Sequence, residues 1–197
     1  MDLTKEIVLE SSRVKLSPMK EEHLDDLLPI ALKYPDLLQF SPSPFGTKPA
    51  LEEYIAVALK ERDTGRRYPF VILDKVSGKI AGSSSFGNIS LKDKRLDIGW
   101  TWLAREVQGT GLNRHCKFLM LSYAFETLEM EKVEFRIDSR NSRSRRAVEK
   151  IGGVQEAELR SHTVMTDGYR RNTVIYGILR EEWPGIKKNI FHSGNLQ

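Results

Sequence analysis

Between Arg105 and Lys117 the chain reads REVQGTGLNRHCK, with two glycines one residue apart between a strand-like apolar run and a helix-like one. Glycine lets backbone amides approach an anion closely. A helix starting near Asn113 would aim its unpaired N–H groups and positive dipole end at the same point. The chemistry on offer is the grip of a phosphate or diphosphate. Spacing excludes two nucleotide folds. The Gly109-Thr110-Gly111 triple lacks the later glycine followed by Lys and Ser or Thr that a Walker loop needs, and Arg114 stands where a dinucleotide fingerprint places its third glycine.

A second basic segment, DSRNSRSRR (138–146), opens another helix. Asp138 to Asn141 offers a cap, and Ser144 and Arg145 fall in about the first turn. The arginines suit a solvated face or an RNA-docked helix. Against RNA, the chain lacks the exposed stacking aromatics of single-strand binders, and its basicity comes from this one cluster, so nucleic acid is the weaker reading. The net charge of +4 is too small to demand a polyanionic partner.

The remaining reactive side chains read as structural. Cys116 is the one cysteine, which excludes an internal disulfide and a thiolate zinc cluster, and among helix formers it reads as a packed thiol. His115 and His162 have no metal-ligand spacing, so no metal is expected. No stretch reaches the ~18 to 20 unbroken apolar residues of a membrane span, and the acidic start MDLTKEIVLE is unlike a signal peptide. A cytosolic protein with no membrane partner is the expectation.

The elements that must position these groups follow from periodicity. RVKLSP (13–18) alternates as a strand and EEHLDDLLPIALKY (21–34) as a helix interrupted at Pro29. Residues 41–49 read as a loop and 50–63 as a second helix. Three strands follow, 68–74, 79–87 and 95–104, with links short enough for an antiparallel meander. In the third, Leu96, Ile98, Trp100 and Trp102 are expected on a packed face, with Arg95, Asp97, Gly99 and Thr101 on a polar face toward a cleft. Residues 113–128 form a mostly buried helix and KVEFRID (132–138) a strand. A right-handed parallel crossover would place both helix N-termini, near Asn113 and near Asn141, at one end of the sheet. A helix from about Asn141 to Ile151 and a hairpin of 154–164 with 171–179 complete one domain, 1–197, with its core at about 13–183.

The order of two early helices, a meander, QGTGLN entering a helix, a strand, N-x-x-S entering a second helix with EKIGG, and a final hairpin resembles the GNAT N-acetyltransferases. It is most similar to their RimJ/RimL-like branch, over about Arg13 to Trp183. The signature Q/R-x-x-G-x-G/A is matched at Gln108 and Gly111, with Asn113 replacing the last small residue. Thr110, Asn113 and Lys117 match the T-x-x-N-x-x-x-K of one subgroup, as do NxRSRRAVEKIGG, LRSH and DGYRRNTVIYGI.

The resemblance implies an α+β, three-layer α/β domain: a mixed, mostly antiparallel seven-stranded sheet whose parallel central strands splay apart to admit acetyl-CoA. By carry-over, backbone groups of Trp102, Leu103 and Ala104 pair with the pantetheine arm. The amides of Gln108, Gly109, Thr110, Gly111, Leu112, Asn113 and Arg114 hold the pyrophosphate. Asn141 and Ser144 face the arm, and Lys117 or Arg145 neutralises phosphate.

The implied reaction is direct attack of a neutral amine on the thioester, with a strand N–H near Leu103 stabilising the oxyanion. Asp97 is the first candidate base and Glu156 the second. Val148 occupies the place where many members carry an acidic tyrosine, which leaves Ser144 as substitute donor to the thiolate. The expected function is acetyl transfer to a small amine or a peptide amino terminus. The alternatives are an acyl-CoA-binding module without turnover and, behind it, an RNA-binding domain. The last hairpin could also pair two copies as a homodimer.

Overall fold

In RVKLSP the alternation makes a strand whose Val14 and Leu16 are fully buried while Lys15 and Ser17 stay partly exposed. The structure, a computed structural model, describes residues 5–191, so the outermost residues of the expected 1–197 domain lie outside the described residues. A two-residue strand, β1 (Leu9–Glu10), precedes this one, β2 (Val14–Pro18), and pairs with it antiparallel. It is too short to show in a periodicity. Among the described residues it brings the sheet to eight strands where seven were expected.

Helix α1 (Leu24–Lys33) runs straight through Pro29. The proline removes one helical hydrogen bond, but Leu27 and Ala31 are completely buried in a cluster with Leu51, Tyr54 and Ile55, and that packing holds the turn. The last three belong to α2 (Lys48–Asp63), which starts two residues before the sequence suggested. Thr47 caps it, accepting from the Ala50 amide at 3.3 Å, and Pro49 sits in the first turn, where no N–H is required.

The meander is β3 (Arg67–Asp74), β4 (Lys79–Ser90) and β5 (Arg95–Leu103), antiparallel throughout. From β5 the chain passes into α3 (Leu112–Ser122), extended by a wider π turn at Tyr123–Thr127, and returns as β6 (Lys132–Asp138), parallel to β5. Then come α4 (Ser142–Glu149), β7 (Val154–Val164), β8 (Arg170–Leu179) and a terminal α5 (Trp183–Ile190) absent from the sequence reading. The strand order is β1-β2-β3-β4-β5-β6-β8-β7.

Two cores result, one on each face. Leu112, Cys116 and Met120 of α3, Val148 of α4 and Trp183 of α5 pack on Phe70, Phe86, Leu96, Val133 and Tyr176 of the sheet. On the other face, α1 and α2 pack on Val71 and Trp102. Arg67 joins α2 to this second face. It is 2% exposed, donates to the Tyr54 hydroxyl at 2.8 Å and to Ser85 Oγ at 2.9 Å, and lies over the Trp100 ring at 4.6 Å.

Strands β4 and β5 approach so closely near their ends that a Cβ on Gly82 would lie 2.1 Å from the Trp102 carbonyl oxygen. Gly82→Ala must therefore push β5 aside, and it should lower stability by about 1–3 kcal/mol in urea denaturation.

Candidate active site

The parallel strands β5 and β6 are in register only at Arg95 with Lys132, Leu96 with Val133 and Asp97 with Glu134. Beyond Asp97 they diverge, leaving a wedge between Gly99–Leu103 and the far half of β6. A β-bulge accompanies the divergence. Trp100 and Thr101 together oppose Ser84, since Ser85 pairs with Gly99 and Ser83 with Trp102, and Trp100 takes a φ of 50°. A bulge bends its strand and tightens the local twist, which turns the upper part of β5 away from β6.

The bulge also corrects the expected face assignment. Leu96 and Ile98 pack on the α3 side, but Trp100 and Trp102 lie on the α1 and α2 side. The extra residue inverts the alternation, so Thr101 and Leu103 take over the α3 face.

Past the bulge, the Trp102 carbonyl faces Gly82, and the Ala104 amide donates to the Ala81 carbonyl at 2.8 Å. Alternation then points the Leu103 amide into the wedge. The Leu103 carbonyl accepts from Gln108 Nε2 at 2.7 Å, so the Gln108 side chain ties the loop to the strand end.

At the open end of the wedge lies the glycine loop. Gly109 and Gly111 have φ of 80° and 91°, and a Cβ at either would meet no heavy atom within 4 Å. Glycine is required there for its backbone conformation, above open space. Thr110 Oγ1 donates to the Val107 carbonyl at 2.7 Å and braces the turn. Gly111 is the N-cap of α3 and brings no side chain to cap it, and the first intrahelical bond runs from the Arg114 amide to the Gly111 carbonyl. The preceding amides face outward.

Leu112 is fully buried and anchors the helix start, while the Arg114 side chain is exposed and lies over the Phe191 ring at 5.8 Å. Asn113, between them, has a buried side-chain oxygen without a hydrogen-bond partner. Across the wedge α4 starts from the corresponding end of β6. Asn141 caps it, accepting from the Ser144 amide at 3.0 Å.

Two basic residues are not where the sequence reading put them. Lys117 is 5% exposed and points into the sheet, donating to Thr101 Oγ1 at 2.7 Å and Ser84 Oγ at 3.3 Å, and burial lowers its pKa to about 8. One turn of helix separates it from the loop amides, on the inward face, so it reaches no phosphate there. Arg145 is engaged by the Tyr176 hydroxyl at 3.1 Å, the Ser139 carbonyl at 3.3 Å and Gln155 Oε1 at 3.2 Å.

The carboxylates separate clearly. Asp97 sits where the wedge closes, 3% exposed, with Oδ2 accepting from Asn88 Nδ2 at 2.6 Å and Arg136 Nε at 2.9 Å. Its Oδ1 is buried without a partner. Burial raises its pKa, and the bonds from Asn88 and Arg136 only partly oppose that. Glu156 lies on β7 and pairs with Lys132 at 2.6 Å, at the end where β5 and β6 are still bonded, so it does not line the wedge. Val148 is 5% exposed within the core.

The sequence reading missed Ser84, Asn88 and Arg136. For Ser84 the signal is the run Ser83-Ser84-Ser85 inside a strand, three fully buried hydroxyls in need of partners, whereas nothing local marks Asn88 or Arg136. Cys116 is buried as expected, its thiol pushed up to about 12 by that burial. Among the described residues no group of three or more His, Cys, Asp or Glu side chains could hold a metal, and no helix is long and apolar enough to cross a membrane.

A sheet split between two parallel strands, with helix N-termini at the open end, is the frame of one family, and the chain belongs to it: residues 13–154 match the acetyltransferase (GNAT) domain. In particular, the chain is 31% identical over 110 residues to YdaF of Bacillus subtilis (strain 168), provisionally named a ribosomal N-acetyltransferase. That match covers 56% of this chain and 59% of the relative, so the chain spans somewhat over half the length of the curated protein it matches. A crystal structure from T. thermophilus, likewise provisionally named an acetyltransferase, superposes with a TM-score of 0.85 at 33% identity, covering 94% of this chain and 95% of the other. The fold is shared with Mycobacterium smegmatis RimJ in complex with CoA-disulfide, at TM-score 0.80 and 21% identity over 96% and 94% of the two chains. The family match agrees with the expected GNAT resemblance.

Proposed function

We propose that the chain, acting as one domain, transfers the acetyl group of acetyl-CoA to a primary amine. The observation that carries this reading is the wedge itself, open at the amide-lined start of α3 and closed at a buried carboxylate. In this arrangement the diphosphate rests on the amides of 109–113, because the expected Gln108 and Arg114 amides already donate to the Arg105 and Gly111 carbonyls, and the pantetheine arm runs along Trp102–Ala104. Asn113, with its unpartnered buried oxygen, and Asn141 flank the arm.

The amine nitrogen attacks the thioester carbonyl, a C–N bond forms, and the oxyanion accepts a hydrogen bond from β5 at Leu103. The C–S bond then breaks. Asp97, directly or through water, takes the proton that the amine loses, while the departing thiolate accepts a hydrogen bond from the Ser144 hydroxyl and takes its proton from solvent. A thiol of ordinary pKa near 8.5 leaves readily, so this last step needs little more than a hydrogen bond.

The name of the B. subtilis relative suggests a protein amino terminus as acceptor, ribosomal proteins among them. A cavity of 290 Å³ beside Phe45, lined by Pro35, Leu38, Gln39 and Thr166 and by no charged side chain, suits a neutral group next to the acceptor amine. Phe45 packs against Trp102 at 5.0 Å, which connects this cavity to the wedge.

The test is thiol release from acetyl-CoA with a panel of amines and peptides. Turnover with at least one acceptor is expected. Because core Val148 replaces the usual tyrosine, the competing reading is a module that binds acyl-CoA without turnover, and binding with no acetylated product in a broad panel would favour it. Two variants probe the halves of the site. Asn113→Ala should raise the KM for acetyl-CoA by up to roughly tenfold, the value of one ordinary hydrogen bond to the arm. Ser144→Ala should lower kcat and leave that KM nearly unchanged. Steady-state kinetics on both variants checks the pair.

A further inference from the structure

A buried lysine normally has a carboxylate for company. Lys117 does not. Among the described residues its ammonium touches only two hydroxyls, Thr101 Oγ1 at 2.7 Å and Ser84 Oγ at 3.3 Å. Those hydroxyls are 2.7 Å from each other and reach back to the Gly99 carbonyl at 3.4 Å and 3.5 Å. Three of the four groups lie on the bulge: Thr101 is one of its two extra-paired residues, Ser84 is the residue opposite, and Gly99 is the last in register before it. A cation and two hydroxyls thus clamp the irregularity at which β5 leaves β6.

The placement along α3 is equally specific. Asn113 and Lys117 are four residues apart and share one face of the helix. Asn113 stands beside the loop amides, and Lys117 reaches the bulge one turn further on. One rigid element therefore connects the phosphate end of the wedge to the strand geometry at the thioester.

We propose that Lys117 is a positioning residue for acetyl transfer: anchored on Thr101 and Ser84, its ammonium fixes the Trp100–Thr101 bulge and so aims the Leu103 amide at the thioester carbonyl. This rests on the wedge reading given above. The ammonium also places a positive charge behind the strand that faces the developing oxyanion, where little water screens it. Its charged form makes the clamp, so the clamp loosens as pH rises past the lowered pKa of about 8. Facing it are Cys116 on its own helix, whose thiol stays protonated, and the neutral hydroxyls of β4 and β5.

The experiment compares the whole wild-type chain with Lys117→Met, Thr101→Val and Thr101→Ser. Lys117→Met fills the same space without charge and should melt no lower than wild type. Its kcat should fall at least about tenfold with the KM for acetyl-CoA within about twofold, and its β5 amides near Leu103 should exchange hydrogen faster. The wild-type loss of kcat above about pH 8 should disappear in it. Thr101→Val should share the kcat loss, and Thr101→Ser, which restores the hydroxyl, should recover it. If Lys117→Met fails to fold, the Thr101 pair decides alone. A folded Lys117→Met with kcat within twofold of wild type, or a Thr101→Val variant as active as Thr101→Ser, overturns the proposal. Coenzyme A is titrated calorimetrically in parallel: a wild-type chain that binds none overturns the wedge reading too, whereas normal binding with unchanged kcat in the variants overturns this proposal only.

Discussion

Asp97→Asn is expected to lower kcat by about 10²–10⁴-fold, the usual range for a general base, while the KM for acetyl-CoA stays within about twofold. Asparagine preserves the volume and the oxygen that accepts from Asn88 and Arg136, so the fold at the closed end of the wedge should survive. What it removes is the second, unpartnered oxygen as a proton acceptor.

The pH profile gives an independent check. Burial holds the Asp97 pKa above the ordinary carboxylate value, because the desolvated anion loses more than its partners return. The base form is the ionised one. Wild-type kcat should therefore decline as pH falls through that raised pKa, at higher pH than for a solvent-exposed aspartate. In Asp97→Asn the acid limb should vanish. An Asp97→Asn enzyme of wild-type rate would move the proton acceptor elsewhere, to water.

The second large effect concerns stability. Lys117 titrates at about 8 when folded against an ordinary 10.5, so folding disfavours its charged form. Below about pH 8 both states are protonated and the full cost is present. Between about 8 and 10.5 the unfolded chain holds more proton than the folded one, so stability rises with pH through that window. The shift corresponds to about 3 kcal/mol as an upper figure. Lys117→Met removes the cost outright, and Ser84 and Thr101 can still bond to each other. The variant should be more stable than wild type at pH 7 by up to about 3 kcal/mol, and the difference should shrink toward pH 10.5. Urea unfolding at several pH values reads both numbers. A variant less stable than wild type at every pH would show that the lysine is held more favourably than its surroundings indicate.

Such a stability cost, kept beside the site, fits a functional role better than a packing one, since a methionine would fill the same space more cheaply.

Much of this architecture is legible in residue order. The alternation of KVEFRID, the meander and the two helix starts are local signals, and each strand and helix that frames the wedge follows from them. The misses share a cause. Pro29 predicts an interruption, yet tertiary packing of Leu27 and Ala31 overrides it. Trp100 and Trp102 read as partners of Leu96 and Ile98 because a strand period of two admits no extra residue, and a bulge is invisible until the opposing strand is known. Lys117 is carried over as a phosphate partner because it matches the subgroup motif, which does not give the direction of its side chain. Glu156 is placed at the cleft by the family layout, and nothing in β7 reveals that Lys132 waits for it. At the site, the glycine conformations and the start of α3 are legible from glycine and helix chemistry, whereas side-chain contacts depend on partners distant in sequence.

The wedge with its amide-lined mouth is the claim on which the rest depends, and amide chemical shifts of the labelled chain during titration with coenzyme A test it most directly. Saturable shifts greatest at Gly109–Asn113 and at Leu103, with Lys132 and Glu156 at the closed end unmoved, are expected. Absence of any saturable shift, or shifts centred on β7 and the arginines of α4, would contradict it.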